Sequence, residues 1–471
     1  MILRMIYREI LENLLSLRFV LSLLLAVSLF AAAGFVFVAK YQQESKDYWK
    51  DTNENLSGLS EKTKHLYDVA LYEQKIYRKP TPLAFCAEGF EKYFPNRFRF
   101  NIFSMELPEV KSREHVDPGF FSDIDLAFII SVILSFVALV FTYNTICGEK
   151  EAGTLRLILA SSVPRRDILI GKYIGAMLTL GIPLLLGLFI GLLIVTSSRD
   201  VTLRSGDWVK IIVIVLLSFL YLSIFVLLGM LVSSRTAHSA NSMVILLLIW
   251  VGLVILIPSS GRIISDAAFK SPTQAELQSK LADVIQQILD DAASRKFGEN
   301  PSYFGTEELE NPKGTAQMVN ARIEAENRVR EDHLNKMMNP FVFGRSFTRL
   351  SPIVSYQCAS EAIAGTGMSR FKNQYQQVRR YQQELKEFVR DKDAEDPESL
   401  HLLCSKGQAI KKWGVISKKP VDFNSIPKFQ ERAFTLGQSL KLALWDIGLL
   451  VLFNLAFFVA SFVSFLRYDP R

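Results

Sequence analysis

The chain has 471 residues, 49% of them hydrophobic, 11% aromatic and 21% charged, with 4 cysteines and a formal charge of +7. That balance excludes a disordered chain, a collagen-like repeat and a disulfide-dense secreted scaffold. A mean hydropathy of +0.20 at this charge content implies two averaged populations, one very apolar and one ordinary.

Residues 1–17 open the chain as an amphipathic helix, with Leu3, Ile6, Ile10 and Leu14 on one face and Arg4, Arg8 and Glu12 on another, the pattern of an interfacial helix. An uncharged run follows between Arg18 and Lys40. Its 21 residues, at about 1.5 Å each, just cross a hydrocarbon core of about 30 Å. Similar spans are predicted over 125–147, 172–195, 209–233, 241–258 and 440–466, which gives an all-α polytopic membrane protein with six transmembrane helices.

Between the spans lie two long polar insertions, 41–124 and 259–439, expected to fold as extracytoplasmic domains, the second mainly helical. In the second, Ser271-Pro272 precedes Leu277, Leu281, Val284 and Ile288, a capped amphipathic helix. Another helix is predicted from Arg370 to Asp391 and a third over Thr315 to Met338, a candidate coiled-coil pair. In the first, Phe90 to Phe103 interleaves aromatic and basic residues; outside the membrane this reads as core packing with exposed arginines, and no nucleic-acid partner is expected.

Lysine and arginine in short loops set the orientation. Placing both termini in the cytoplasm puts 11 basic residues in the cytoplasmic segments, Arg156, Arg165, Arg166 and Lys172 among them, against Arg199, Arg204 and Lys210 in the one short external loop. Residues 41–124 carry 12 basic and 14 acidic side chains and 261–438 carry 26 and 23, leaving 16 and 10 on the membrane portion. The net charge is therefore mainly a topology signal.

Cys358 and Cys404 are a candidate disulfide in the external regions, with buried free thiols as the alternative. No CxxC occurs and the 5 histidines are scattered, so no metal site is expected. Inside the spans Asn144, Gly175, Asn241, Asp446 and Asn454 are candidates for a transport path or for helix packing, and Gly187-x-x-x-Gly191 for close helix approach. Converging catalytic groups at membrane depth are missing, and no G-x-x-x-x-G-K-[ST] phosphate cradle is present, so no ATPase activity is expected in this chain.

The segment 148–171 carries the most information. Glu149 and Glu151 precede Gly153, Thr154 and Leu155; an apolar turn with Ile158 and Leu159 follows, then Pro164, Arg165 and Arg166, then Gly171-Lys172. Together with the span count and the amphipathic start, this segment resembles the permeases of ABC-2 type ATP-binding-cassette exporters. The resemblance implies that 148–171 holds the coupling helix, with Glu149, Glu151, Gly153, Thr154 and Leu155 contacting a separate ATPase subunit and Pro164, Arg165 and Arg166 forming the return. It further implies a second permease chain, identical or related. ATP and magnesium would be held by the ATPase and no cofactor by this chain, and the location would be a prokaryotic cytoplasmic membrane. Two large insertions depart from the family's plain members, so an external protein partner is a candidate beside the membrane lipids. The alternative is a membrane-anchored receptor or scaffold whose external domains bind a partner without transport.

Overall fold

In the computed structural model the described residues are 2–89, 94–106, 125–160, 164–269, 272–294, 312–405 and 414–467. Among the described residues the fold is all-α apart from one two-stranded antiparallel sheet, and six helices are long and apolar enough to cross a membrane. In chain order, α1 (Ile2–Leu14) lies before the first span, α2 (Leu17–Lys62). The other spans are α4 (Leu126–Glu151), α6 (Arg165–Ser197), α7 (Ser205–Arg235), α8 (Ser239–Ala268) and α13 (Leu436–Leu466). Short α3 (Leu66–Leu71), strands β1 (Gln74–Tyr77) and β2 (Arg97–Phe100), and α5 (Thr154–Ala160) lie between them. The second insertion contributes α9 (Gln274–Ser294), α10 (Pro312–Thr348), α11 (Pro352–Ala364) and α12 (Met368–Ala394).

Two cores result, one among the spans and one in the outer domain. Helix α2 serves both. The Ser16 hydroxyl caps its first turn by accepting from the Phe19 amide at 3.3 Å. Phe19, Ala26, Phe30 and Ala33 then recur on its buried face against α6. Gly187 and Gly191 make that approach close: a Cβ at Gly187 would meet the Phe30 ring at 2.3 Å. Beyond the uncharged run α2 continues unbroken, so residues 41–62 are one helix with the first span and carry it into the second core. Its upper end buries Leu59 in the outer core, and the Asn55 carboxamide accepts from the Lys75 amide at 2.8 Å.

The outer core forms around the antiparallel pair of β1 and β2, with Gln74 opposite Phe100 and Tyr77 opposite Arg97. Alternation buries Phe98 and Phe100 and leaves Arg97 and Arg99 half-buried, so this stretch packs into the core. Helix α12 lays Phe371, Val378, Tyr381 and Leu385 on it, Phe371 stacking on Phe94 at 4.6 Å between ring centres. The Tyr381 hydroxyl donates to Gln74 Oε1 at 3.0 Å, and burial pushes its pKa up to about 12.

Three expectations for 259–439 are corrected. Helix α10 pairs with α9 and with the outer end of α8, while α12 packs on α3 and β2, so α10 and α12 are not a coiled-coil pair. The start of α9 is capped by the Thr273 hydroxyl, which accepts from the Glu276 amide at 3.2 Å; Ser271 lies outside the described residues. Most consequentially, α11 packs among the spans and not with the rest of the second insertion. Twelve of its 13 residues are buried, among α7, α8 and α13.

Serine and tyrosine hold α11 in the bundle. The Tyr356 and Ser218 hydroxyls lie 2.8 Å apart, and the Tyr356 ring stacks on Tyr221 at 4.7 Å. Tyr221 in turn donates to the Ser131 carbonyl at 2.7 Å. Ser131 sits in a π-helical segment of α4, Ile129–Leu134. A second π-helical segment, Gly252–Leu256 in α8, offers the Leu253 carbonyl to the Ser351 hydroxyl at the N-cap of α11. A π turn disturbs the regular ladder of backbone bonds, and each segment here supplies a carbonyl to the packing around α11. Gly365, at φ +75°, ends the helix in the left-handed region.

All four cysteines are buried, and none is in a disulfide. Cys358 belongs to the membrane-side core and Cys404 to the outer core, so the expected disulfide between them is not formed.

The hairpin that leads into α11 depends on small residues. The Gly344 backbone lies against Gly261, and the Ser265 hydroxyl donates to the Pro340 carbonyl at 2.7 Å. A Cβ at Gly344 would meet the Gly261 carbonyl oxygen at 2.7 Å. Gly344→Val is therefore expected to destabilise the chain by about 1–3 kcal/mol, read as a lowered melting temperature in detergent. An unchanged melting temperature would contradict this packing.

Candidate functional site

At the inner ends of the spans, α1, the end of α4, α5 and the start of α6 form a collar. Glu149 ends α4 beside Lys172 of α6, and the Lys172 ammonium lies 2.8 Å from Glu149 and 3.4 Å from Glu9 of α1. The Lys172 side chain is only 7% exposed, so the lysine is charged in a buried setting and needs both acids. Two glycines let α1 come that close: Gly171 faces Met5, and a Cβ at Gly175 would meet the Glu9 side chain at 2.8 Å. Gly175 is thus a helix-packing position.

Burial raises the Glu9 carboxyl above its ordinary pKa, while the Lys172 ammonium pulls it down and the Glu149 carboxylate adds to the rise. The folded chain then holds this proton more tightly than the unfolded one, and the site loses stability as pH rises through the carboxyl's ordinary and raised pKa.

Glu151 has a different task. Its carboxylate accepts from the amide and hydroxyl of Ser239, at 2.9 and 2.5 Å, at the start of α8, with the His238 Nδ1 at 3.4 Å. Lys150 donates to the Ser234 and Thr236 carbonyls at the end of α7, at 2.5 and 3.0 Å. Arg165 donates to the Leu466 carbonyl at the end of α13 at 2.8 Å. The charged residues of this segment therefore tie α1, α4, α6, α7, α8 and α13 to one another.

Gly153, at φ +70°, makes the turn from α4 into α5. Within α5 Leu155 is buried and Leu159 half-buried, anchoring the helix to the bundle. Gly153, Thr154, Arg156 and Leu157 face outward, with Leu157 74% exposed; Pro164 and Arg166 are exposed as well. Residues 161–163 and the side chain of Ile158 lie outside the described set. Of the residues the sequence singled out, Gly153 and Thr154 lie on the outer face, whereas Glu149, Glu151, Leu155 and Arg165 are committed to the fold.

The intramembrane candidates separate in the same way. Asn144 accepts from Arg18 at 3.4 Å, and that guanidinium also lies 4.9 Å from the centre of the Tyr143 ring. Asn454 donates to the Leu220 carbonyl at 2.9 Å and joins α13 to α7. Asn241 is exposed in the first turn of α8. Asp446, 1% exposed, pairs with Arg349 at 3.2 Å at the end of α10. One turn earlier, Arg345 holds the Glu361 carboxylate of α11 with both arms of its guanidinium, at 2.7 Å for one.

Glu9, Lys172, Arg345, Arg349 and Glu361 were not singled out in sequence as site residues. A carboxylate inside a span does imply a cation, and Gly171-x-x-x-Gly175 does imply a helix seated on α6; neither names the partner. Among the described residues no group of three or more histidine, cysteine or acidic side chains is placed to hold a metal ion.

The profile of the family described as ABC-2 family transporter protein matches residues 5–469. Over 62 residues the chain is 39% identical to the probable ABC transporter permease protein NosY of Stutzerimonas stutzeri. That alignment spans 13% of this chain and 22% of NosY.

The buried charge triad gives a direct test. Lys172→Ala leaves two carboxylates close together without their cation and should destabilise the chain by about 3–5 kcal/mol. Adding Glu9→Gln and Glu149→Gln should restore much of that loss, measured as thermal stability and as protection of α1 from protease. Equal stability of Lys172→Ala and the parent would remove the triad's role.

Proposed function

The chain belongs to the ABC-2 family of transporter proteins, and on that footing we propose that it is the permease subunit of an ATP-binding-cassette exporter. Work comes from a separate ATPase subunit that holds ATP and magnesium. Two permease chains, identical or related, complete the transporter. It resides in a prokaryotic cytoplasmic membrane with both termini in the cytoplasm, the side on which the collar's arginines would lie. The outer domain then receives substrate or a protein partner outside the membrane.

The observation that carries the coupling role is the division of labour within the collar. The face of α5 with Thr154, Arg156 and Leu157 is exposed, while the residues behind it are tied to the ends of all the spans except α2. A push on that face passes into the bundle through ion pairs and hydrogen bonds to helix ends. Helix α1, seated on Lys172, takes the same push toward the membrane surface.

Leu157→Asp, alone or with Arg156→Glu, should abolish co-purification with the ATPase subunit and leave the melting temperature of the permease unchanged, because both side chains point away from the fold. Full retention of the ATPase by the double variant would overturn the assignment of this face. The orientation is checked by single cysteines at Asn53 and Gln286, both exposed. Both should react with an impermeant maleimide in intact cells, and labelling only after lysis would reverse the topology.

A further inference from the structure

Arg349 faces two ways. Its Nε is buried 3.2 Å from Asp446 Oδ1, yet the side chain as a whole is 34% exposed, so the exposed surface lies elsewhere on the side chain, toward the outer part of the guanidinium fork. Neither the Nε nor the Oδ1 makes a well-aligned hydrogen bond. The contact is therefore ionic, and the fork is not saturated by it.

The surroundings are apolar and uncovered. Phe347 and Leu350, on either side of Arg349 in sequence, are 50% and 67% exposed. Trp445, next to Asp446, is 68% exposed, and Leu442, one turn above, 42%. Asp446 lies 20 residues before the inner end of α13 at Leu466. That is about 30 Å of helix, the thickness of a hydrocarbon core, and it sets the pair at the outer headgroup level.

A cation at that level, with exposed apolar side chains beside it in sequence on both segments, meets the phosphate of a lipid whose chains lie on those side chains. A guanidinium grips a phosphate with two parallel N–H groups, which a zwitterionic headgroup's own ammonium partly offsets. We infer that Arg349 is the seat of an anionic phospholipid of the outer leaflet, held by its phosphate, with acyl chains against Phe347, Leu350 and Trp445. Asp446 tempers the seat by sharing the same guanidinium, and the lipid bridges α10 to α13 at the mouth of α11. This binding concerns the chain alone and stands or falls separately from transport.

The test uses the full chain purified from vesicles of equal phosphatidylglycerol and phosphatidylcholine, with retained lipids counted by native mass spectrometry. The parent should retain phosphatidylglycerol over phosphatidylcholine. Arg349→Gln should lose that preference by about fivefold, the contribution of one basic side chain near a membrane surface. Asp446→Asn should strengthen the preference, because the guanidinium is then unshared; a purely structural pair would show no such opposite sign. Equal retention of the two lipids by the parent, which needs no variant to fold, would overturn the seat. So would an Arg349→Gln chain that matches the parent, or a Leu350→Cys chain that cross-links to a second copy in the membrane, since the patch would then be a protein interface.

Discussion

A peptide group in a hydrocarbon layer has no water to bond, and every element of the membrane half answers to that constraint. It favours long helices, and six of the described helices are long and apolar enough to cross a membrane. It also dictates what the polar side chains inside them do. Ser135, Thr142, Thr179 and Ser218 donate back to carbonyls one turn earlier in their own helices. The same constraint explains how so short a helix as α11 lives among the spans. At its start the Ser351 hydroxyl donates to the Leu253 carbonyl of α8, and at its end Gly365 turns left-handed and the Thr366 hydroxyl donates to the Ala87 carbonyl, partners that stand in for water.

Buried charge meets opposite charge at both ends of this half. At the inner face Lys172 sits between two acids, and at the outer face two arginines of α10 reach two acids on α11 and α13. Removing one partner of such a pair leaves a charge without compensation in a low dielectric, so these contacts fix registry more than they add stability. They stand at opposite ends of the bundle, and each joins a segment outside the spans to a span. The inner one seats α1 and the outer one seats the hairpin of α10 and α11. An ABC-2 family chain with large insertions between its spans is in this way tied together at both ends of the helix bundle.

What the sequence made legible was whatever repeats or runs. Twenty apolar residues in a row are a span whatever they touch, and the alternation in Arg97–Phe100 or the stripe of Phe371, Val378, Tyr381 and Leu385 declares its buried side. Helix α11 carries no such sign. Its 13 residues mix two serines, a glutamine and Glu361 with apolar side chains, too short and too polar for a span, and only its partners make it an interior helix. Pairs such as Lys172 with Glu9 or Arg349 with Asp446 join residues 163 and 97 positions apart, a distance over which no periodicity speaks. Read locally, Glu149 and Glu151 were an acidic pair ahead of a helix; in the fold they turn inward to a lysine and to the first turn of α8.

The unbroken course of α2 has a mechanical meaning. Its 46 residues make a rod about 69 Å long, footed beside the collar and ending in the outer core at Leu59. A tilt of about 5° about the contact at Phe30, about 48 Å from the tip, would carry the tip through about 4 Å. Glycine contacts along α6 provide the fulcrum, since Phe30 rests on Gly187 and Gly34 on Gly191. The first span is therefore a lever as well as an anchor, and its mechanical advantage is set by where those glycine contacts fall along its length.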